Sequence, residues 1–403
     1  MPLTANFWRI FAADFILRTA YQMGKTPLLP LFAAALGAGD LLIGTIASIS
    51  TATGMFLKPL FGILSDRWGR RVWFFLALAI FIGTPFLYSL VDTVDQLLAL
   101  RAFHGVATAI FGPVSLAYVA EMDQRNIGTR LGIFGMARGG GYLLAPAIAG
   151  WFLTFMSPEQ VFILIGCFSA VAMVPIMVLN DQRRDSLPVR PEIVPISLAA
   201  KNLARDLAHG IASAARRREV WTAGFVELCY YIITYALKAF LPIYAVSEMG
   251  LSIFVAGLFF TLQEMAHILC RPAGGYLSDR IGHLPAVGIG MLLQGFSLFA
   301  LLAASTGSAL MMVAIAGGLA QGLISPATVA FVSAAVDDGR YGATLGVFGA
   351  LRNVGKVVGP IVIGAFLQVY SFVPVFQALA VTSILTVLVI TVGHQARLRQ
   401  RRA

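Results

Sequence analysis

The chain has 403 residues, of which 58% are hydrophobic and only 12% are charged. Soluble domains carry roughly 25% charged residues, so this composition excludes a soluble domain and indicates lipid as the main solvent. The net charge is +10. The three cysteines, Cys167, Cys229 and Cys270, all lie in apolar runs. Their odd number and spacing argue against a disulfide framework or a zinc site, and we expect no cofactor.

Taken in chain order, the sequence contains twelve apolar runs that are long enough to cross a bilayer of about 30 Å. We number them as spans 1 to 12: approximately 8–36, 41–63, 72–91, 96–120, 131–155, 160–179, 220–246, 252–275, 284–304, 308–334, 344–369 and 372–394. The first begins near Phe7 without a basic leader or a cleavage pattern, so we predict a span there and no signal peptide. A long polar stretch separates six runs from six. We predict an all-α membrane protein with a six-helix bundle in 1–180, a cytoplasmic linker in 181–219 and a second six-helix bundle with a basic tail in 220–403.

Lysine and arginine are distributed unevenly over the connections between the spans. The connections after spans 2, 4, 6, 8 and 10, together with both termini, carry twenty of them, whereas the opposite connections carry none. Positive residues stay on the cytoplasmic side of a membrane. We therefore predict a multi-pass protein of the cell inner (plasma) membrane with both termini in the cytoplasm. This asymmetry explains the net charge without a nucleic-acid partner.

A ten-residue stretch occurs twice, at a separation of about half the chain. Residues 62–71 read GILSDRWGRR and residues 275–284 read GYLSDRIGHL. Further matches pair Gly128–Gly135 with Gly342–Gly349 and Gly141–Pro146 with Gly355–Pro360. We interpret the halves as parallel repeats related by an axis along the membrane normal. Such an arrangement puts a substrate site between the halves, near the midplane.

The first copy resembles the G-x-x-x-D-R-x-G-R-[RK] signature that lies between spans 2 and 3 in the major facilitator superfamily. Its key positions are present at Gly62, Asp66, Arg67, Gly69, Arg70 and Arg71, and the second copy has His283 where Arg70 stands. The resemblance covers essentially the whole chain. It implies two six-helix bundles related by pseudo-two-fold symmetry, with this loop as a latch that holds the halves in the outward-open state. The alternative is a turn that only marks a cytoplasmic loop.

Two further motifs resemble the drug:proton antiporter branch of that superfamily. Residues 101–105, Arg-Ala-Phe-His-Gly, are similar to the R-x-x-Q-G motif of proton-coupled exporters, with His104 in place of glutamine. The resemblance implies that Arg101 biases the protonation of a nearby carboxylate. In span 5, a string of small residues is similar to the antiporter motif G-x-x-x-G-P-x-x-G-G: Gly141, Ala145, Pro146 and Gly150. Generic small-residue helix packing is the alternative for that string.

Ionisable residues inside the spans are the most informative about function, because each is costly in lipid. Asp14 and Arg18 are four residues apart on one helical face, so they can pair directly. Glu264 and His267, three residues apart, share a face of span 8. The candidates for proton coupling are Glu227, Glu264, Asp14, Arg101 and His267. The candidates for lining a substrate cavity are Arg18, Gln22, Lys25, Tyr231, Tyr235, Lys238, Gln263 and Gln294.

Burial favours the neutral form of a carboxyl group, and a neighbouring cation favours the charged form. A site that faces each side of the membrane in turn can switch between these environments and thereby carry a proton. For each of the acids, the alternative is a fixed intramembrane ion pair. At the predicted cavity, the cations Arg18, Lys25 and Lys238 outnumber the acids by one. We therefore expect a neutral, zwitterionic or anionic amphipathic substrate.

The sequence contains no nucleotide-binding motif, nucleophile constellation or metal-ligand spacing, so we predict neither an enzyme nor an ATP-driven pump. We predict a monomeric secondary transporter that exports a small amphipathic organic compound by alternating access, with protons and the lipid bilayer as its other partners. Two alternatives stay open: a proton-coupled importer or exchanger of an organic anion, and a transporter-like membrane sensor. Energised everted vesicles separate the three, because an exporter accumulates substrate in them, an importer releases it and a sensor does neither.

Overall fold

The computed structural model describes residues 3–122, 127–179, 205, 217–334 and 341–402, and these residues form helices without any strand. The helices of the first half are α1 (Ala5–Met23), α2 (Leu28–Ala35), α3 (Asp40–Trp68), α4 (Arg70–Tyr88), α5 (Val94–Glu121), α6 (Ile127–Phe152), α7 (Pro158–Val171) and α8 (Met173–Met177). Those of the second half are α9 (Arg218–Ser247), α10 (Ile253–Ile281), α11 (His283–Ala303), α12 (Gly307–Ser333), α13 (Tyr341–Leu367) and α14 (Phe372–Arg402).

The predicted all-helical membrane fold with twelve spans is confirmed. Within the described ranges, nine helical stretches are long and apolar enough to cross a membrane. The other three spans are formed by α1 together with α2, by α6 and by α14. Proline inside a span does not end it, since Pro113 and Pro326 lie within α5 and α12.

Two predicted spans are interrupted, and a proline lies within a few residues of each interruption. Span 1 forms α1 and α2, with Gly24 at the end of α1 and Pro27 immediately before α2. Span 6 forms α7 and α8, which meet at Ala172. Pro175 follows three residues later, and it cannot donate to the carbonyl of Val171 because it has no N–H.

The chain divides into two compact units. Unit 1 comprises Met1–Ala38 and Ile46–Arg205, and unit 2 comprises Gly39–Thr45 and Asp206–Ala403. The predicted linker, 181–219, lies outside the described residues except for 205 and 217–219, so its boundaries stay a prediction.

In unit 1, α1 packs against α6 and α7, and α4 packs against α5 and α7. Aromatic side chains such as Phe74, Phe81 and Phe111 are buried in its core. Gly141 lets α6 approach α1 closely, since a Cβ at this position would lie 3.0 Å from the backbone nitrogen of Thr19. Small residues of this kind are typical of helix contacts inside membranes.

In unit 2, α9 packs against α13, α10 and α11 pack against α12, and α11 packs against α14. Gly355 and Gly359 bring α13 onto α9, since a Cβ at either would lie 2.7 Å from backbone atoms of Leu228 or Ile232. Span 11 therefore packs on span 7 as span 5 packs on span 1. The repeat in the sequence is also a repeat in helix pairing.

Candidate functional site

The Asp14–Arg18 pair lies on α1 inside unit 1. Asp14 is fully buried, and its Oδ1 lies 3.5 Å from Nε of Arg18. Neither carboxylate oxygen accepts a hydrogen bond from another described residue. Arg138, on α6, interacts electrostatically with both members of the pair. Asp14 is therefore held by the charges of two neighbouring cations.

The α3 helix adds to the polar residues beside α1. Lys58 interacts electrostatically with Arg18 and Arg138, which adds a third cation to this group. The predicted cavity residue Lys25 donates from Nζ to Oγ1 of Thr51 on α3 at 3.3 Å. Another predicted cavity residue, Gln22, is buried on α1.

Arg101 is buried in unit 1 among hydroxyl groups. Its guanidinium donates to Oγ of Ser50 at 2.8 Å, to the Tyr88 hydroxyl at 3.4 Å and to the Tyr21 hydroxyl at 3.5 Å. It also lies 5.4 Å from the centre of the Tyr21 ring. Within the described residues, no carboxylate is among its hydrogen-bond or ion-pair partners. The motif resemblance implies a carboxylate near Arg101, and the described residues place none in contact with it.

His104 extends this hydrogen-bonded group. Its Nδ1 lies 3.3 Å from the Tyr88 hydroxyl, and its ring packs edge-on against Tyr21 with the ring centres 5.0 Å apart. The Tyr88 hydroxyl thus joins Arg101 and His104 in one hydrogen-bonded group, and His104 takes part in the environment of Arg101 through this hydroxyl.

Glu227, on α9, is buried in unit 2. Thr328, on α12, donates from Oγ1 to Oε1 of Glu227 at 2.5 Å. Arg352 and Lys356, both on α13, interact electrostatically with the same carboxylate. A hydroxyl group and two cations from two other helices thus surround Glu227.

Glu264 and His267 lie together on α10, as their spacing predicts. Oε1 of Glu264 is 3.2 Å from Nδ1 of His267. Lys238 and Arg271 also interact electrostatically with Glu264. The structure brings one predicted cavity residue, Lys238, into the surroundings of a predicted proton-coupling residue.

Two tyrosines and three cations form a group between α9 and α13, which we name the cation–tyrosine cluster: Tyr231, Tyr235, Lys238, Arg352 and Lys356. Nζ of Lys356 lies 4.7 Å from the centre of the Tyr231 ring and 5.7 Å from that of Tyr235. Nζ of Lys238 lies 5.4 Å from the Tyr235 ring centre, and Cζ of Arg352 lies 5.9 Å from that of Tyr231. Cations at these distances are attracted by the ring faces.

The two predicted glutamines of unit 2 are both buried. Gln263 packs against Gly317 of α12, where a Cβ would lie 3.2 Å from its Nε2. Gln294 is almost fully buried on α11, and its Oε1 accepts no hydrogen bond from the described residues. A role for either glutamine in the cavity stays a prediction.

The first copy of the repeated loop is organised by Arg70. Its guanidinium contacts Oγ of Ser65 and Oδ1 of Asp66, each at 2.5 Å, and Oε1 of Glu121 at 2.7 Å. Gly69 has φ of 80°, a conformation that favours glycine. Arg71 donates to the carbonyl oxygen of Met177 at 3.4 Å.

The remaining latch residues lie beside this network. Gly62 accepts a hydrogen bond at its carbonyl oxygen from Ser65. The side chain of Arg67 lies outside the described residues.

In the second copy, His283 lies in the position of Arg70. Its Nδ1 is 2.8 Å from Oγ of Ser278, as Arg70 contacts Ser65. Gly282 has φ of 95° and repeats the turn of Gly69. Within the described residues, His283 has no ion pair with Asp279, which is the counterpart of Asp66. The second copy thus keeps the turn and the serine contact without the network of charges.

The antiporter-like string lies on α6. Gly141 contacts α1, and Ala145 is fully buried. Pro146 lies within α6 without ending it, and Gly150 is buried on the same helix. The small residues of the string thus serve helix packing, and a further role stays a prediction.

Several polar residues of these sites were not singled out by the sequence: Ser50, Tyr88, Thr328 and Glu121. Each contacts its partner across helices, and an uncharged residue or an acid at a helix end carries no distinguishing pattern in a single sequence. The sequence does point to Arg352 and Lys356, because the repeat makes them the counterparts of Arg138 and Tyr142.

The fold and these buried charges define a helical membrane transporter. The model of the Major Facilitator Superfamily matches residues 11–263 and 223–401. The chain belongs to this superfamily, and it is a multi-pass membrane protein.

Relatives span nearly the whole chain. An uncharacterized MFS-type transporter of Methanocaldococcus jannaschii is 23% identical over 362 residues, which cover 89% of this chain and 90% of the relative. The quinolone resistance protein NorA of Staphylococcus aureus is 20% identical over 391 residues, which cover 93% and 94%. A solved POT family transporter in complex with 5-aminolevulinic acid has a TM-score of 0.76 at 16% identity, and covers 96% of this chain and 95% of its own. At this identity, the structural likeness shows the fold alone.

Proposed function

We propose that this transporter exports a small amphipathic organic compound in exchange for protons, by alternating access. The observation that carries the proposal is the buried carboxylate of Glu227, with its hydrogen bond from Thr328 and its two neighbouring cations on α13. An ionisable group inside a membrane helix is costly, and such groups mark substrate paths and proton relays. The name of one relative, quinolone resistance protein NorA, supports export of a foreign compound.

Exchange requires that proton and substrate exclude each other at one site. A neutral or zwitterionic substrate whose N–H or O–H groups donate to the Glu227 carboxylate binds only after the proton has left. A proton that arrives from the other side then displaces the substrate. Glu264, with His267 at 3.2 Å, is the second candidate for this role.

Transport into energised everted vesicles tests the proposal. Amphipathic compounds of each charge class are offered, and accumulation is followed with and without a protonophore. We expect accumulation that collapses when the protonophore removes the gradient. Gradient-driven release of preloaded substrate, or no movement at all, contradicts export.

The two cations beside Glu227 favour a second candidate, a proton-coupled importer of an organic anion. An anion bound at Arg352 and Lys356 draws these cations away from Glu227, which then takes up a proton. Anion and proton are thereby bound together and cross together. The direction of gradient-driven movement in the same vesicles separates the two candidates.

The charges support a neutral, zwitterionic or anionic substrate for either candidate. The cation–tyrosine cluster holds three cations, and the acids that interact with them are Glu227 and Glu264. The three cations of the cluster and these two acids sum to one positive charge, and Arg271, which also interacts with Glu264, adds a further positive charge. Such a region offers a lipophilic cation no net electrostatic attraction.

We place both termini in the cytoplasm because of the distribution of lysine and arginine, and we propose a monomer in the cell inner membrane. We assign 1–180 and 220–403 to the two bundles and 181–219 to the linker. The Gly62–Arg71 loop is proposed as the latch, because Arg70 joins Asp66 and Glu121 in one network.

A further inference from the structure

A cavity of about 390 Å³ lies in unit 2, at the ends of its helices. We name it the outer pocket, and the residues that matter here are Asp40, Tyr244, Glu248, Tyr370 and Phe372. Tyr244 lies thirteen residues beyond Tyr231 on α9, which is about 20 Å along a helix. The outer pocket is therefore separate from the cation–tyrosine cluster.

The charged groups that line the outer pocket are all acidic. Among its described lining residues, Asp40 and Glu248 carry charge, and none is lysine, arginine or histidine. Asp40 begins α3, where the helix dipole favours an acid. Glu248 is the C-cap of α9, where the dipole disfavours one. Helix stability thus does not explain the position of Glu248.

The backbone of both acidic residues is fixed by local contacts. Gly364 of α13 lies against the start of α3, since a Cβ at this glycine would lie 3.1 Å from Cα of Leu41. The backbone N–H of Glu248 donates to the carbonyl oxygen of Tyr244 at 3.0 Å. Neither carboxylate has a side-chain hydrogen bond or an ion pair with another described residue. Both are thus available to a cation in the pocket.

The walls of the outer pocket are aromatic. Tyr244 and Phe372 stack with their ring centres 3.8 Å apart and an angle of 10° between the planes. Phe372 in turn stacks on Phe376 with the ring centres 3.8 Å apart. This column of three rings fixes Tyr244 in the wall of the pocket. Tyr370 is 56% exposed.

We propose that the outer pocket binds an amphipathic organic cation, such as a quaternary ammonium compound with an aromatic ring. Ring faces attract such cations, and two carboxylates supply the opposite charge. The volume falls within the usual range for small-molecule sites, about 300–1,000 Å³. A metal ion such as calcium prefers six to eight oxygen ligands, which an aromatic wall does not supply. The site goes beyond the proposed function, because it takes the opposite charge class from the cation–tyrosine cluster.

Binding of benzyltrimethylammonium to the full-length protein in nanodiscs of zwitterionic lipid tests the proposal. Equilibrium dialysis measures the affinity, and neopentylbenzene serves as the competitor of the same shape without the charge. We expect Asp40→Asn and Glu248→Gln each to weaken binding about tenfold, with Asp92→Asn, another exposed acid at a helix connection, as the unchanged control. Tyr244→Leu should weaken binding and Tyr244→Phe should preserve it.

Three results contradict binding of an organic cation in the outer pocket. One is equal affinity in the wild type, Asp40→Asn and Glu248→Gln, each checked for folding by size exclusion. Another is equally effective competition by neopentylbenzene. The third is loss of cation binding in Glu227→Gln or Glu264→Gln, which assigns the cation to the other site. Failure of proton-coupled transport leaves all three measurements unaffected, so the two proposals fail separately.

Discussion

The helix pair α1–α6 of unit 1 and the helix pair α9–α13 of unit 2 carry the same set of charged and aromatic groups in different places. Asp14 and Glu227 are counterparts, as are Arg138 and Arg352. The other two positions are exchanged. Unit 1 has Arg18 on α1 and Tyr142 on α6, whereas unit 2 has Tyr231 on α9 and Lys356 on α13.

The swapped positions of cation and tyrosine change the surroundings of Asp14 and Glu227. In unit 1, Arg18 is one turn from Asp14 on the same helix, so the pair moves as one body. In unit 2, the cations near Glu227 come from α13, and its hydrogen-bond donor comes from α12. A shift between helices alters all of these partners of Glu227, whereas Asp14 keeps its ion pair with Arg18 on the same helix even when Arg138 on α6 moves. This difference favours Glu227 over Asp14 as the proton carrier.

The largest expected effect is that of Glu227→Gln. Glutamine keeps a hydrogen-bond acceptor for Thr328 but cannot bind and release a proton at neutral pH. We expect gradient-driven transport to fall to the level of vesicles without a gradient, while substrate binding survives. Asp14→Asn is the matched control and should retain most transport. Full gradient-driven accumulation in both Glu227→Gln and Glu264→Gln assigns the role to Asp14 or to no acid.

The next effect concerns the exchanged positions. Arg18→Tyr leaves the fully buried Asp14 without its ion-pair partner, and breaking a buried pair costs about 3–5 kcal/mol. Adding Tyr142→Lys restores a cation on α6, as Lys356 supplies one on α13. We expect the single variant to lose stability and the double variant to regain most of it, measured as the free energy of unfolding in detergent. A double variant no more stable than Arg18→Tyr alone shows that the two positions are not equivalent across the repeat.

The sequence predicted contacts within one helix and missed those between helices. Helical spacing alone places Asp14 beside Arg18 and Glu264 beside His267. The contacts of Arg101 with Ser50 and of Glu227 with Thr328 depend on the rotation and depth of neighbouring helices, which a single sequence does not specify.

The fold was predictable because lipid requires long apolar runs for every span. The interruption of span 1 between Gly24 and Pro27 was not predicted, since membrane helices tolerate both residue types. The same tolerance leaves Pro113 inside α5, so the presence of proline alone does not locate a break.

The two copies of the repeated loop give a smaller effect. In Asp66→Asn, Arg70 loses one of two carboxylate partners and keeps Glu121. A hydrogen bond to a charged group contributes about 1.5–3 kcal/mol, so we expect transport to fall about tenfold while the protein stays folded and inserted. Asp279→Asn is the matched control in the second copy, where His283 contacts Ser278 instead, and it should have little effect. Near-normal transport in Asp66→Asn shows that the loop only marks topology.

The smallest effect concerns two lysines that are counterparts in the repeat, Lys25 and Lys238. Lys25 donates to Thr51, whereas Lys238 lies over the Tyr235 ring. If the substrate is anionic, both contribute attraction of the size found for partly exposed charge pairs, roughly 0.2–1 kcal/mol. We expect Lys25→Ala and Lys238→Ala each to weaken binding of naphthalene-2-sulfonate up to about fivefold with unchanged expression, and Arg9→Ala to have no effect. Unchanged sulfonate binding in both variants, or undiminished gradient-driven transport of tetraphenylphosphonium in either, contradicts a positively charged substrate region.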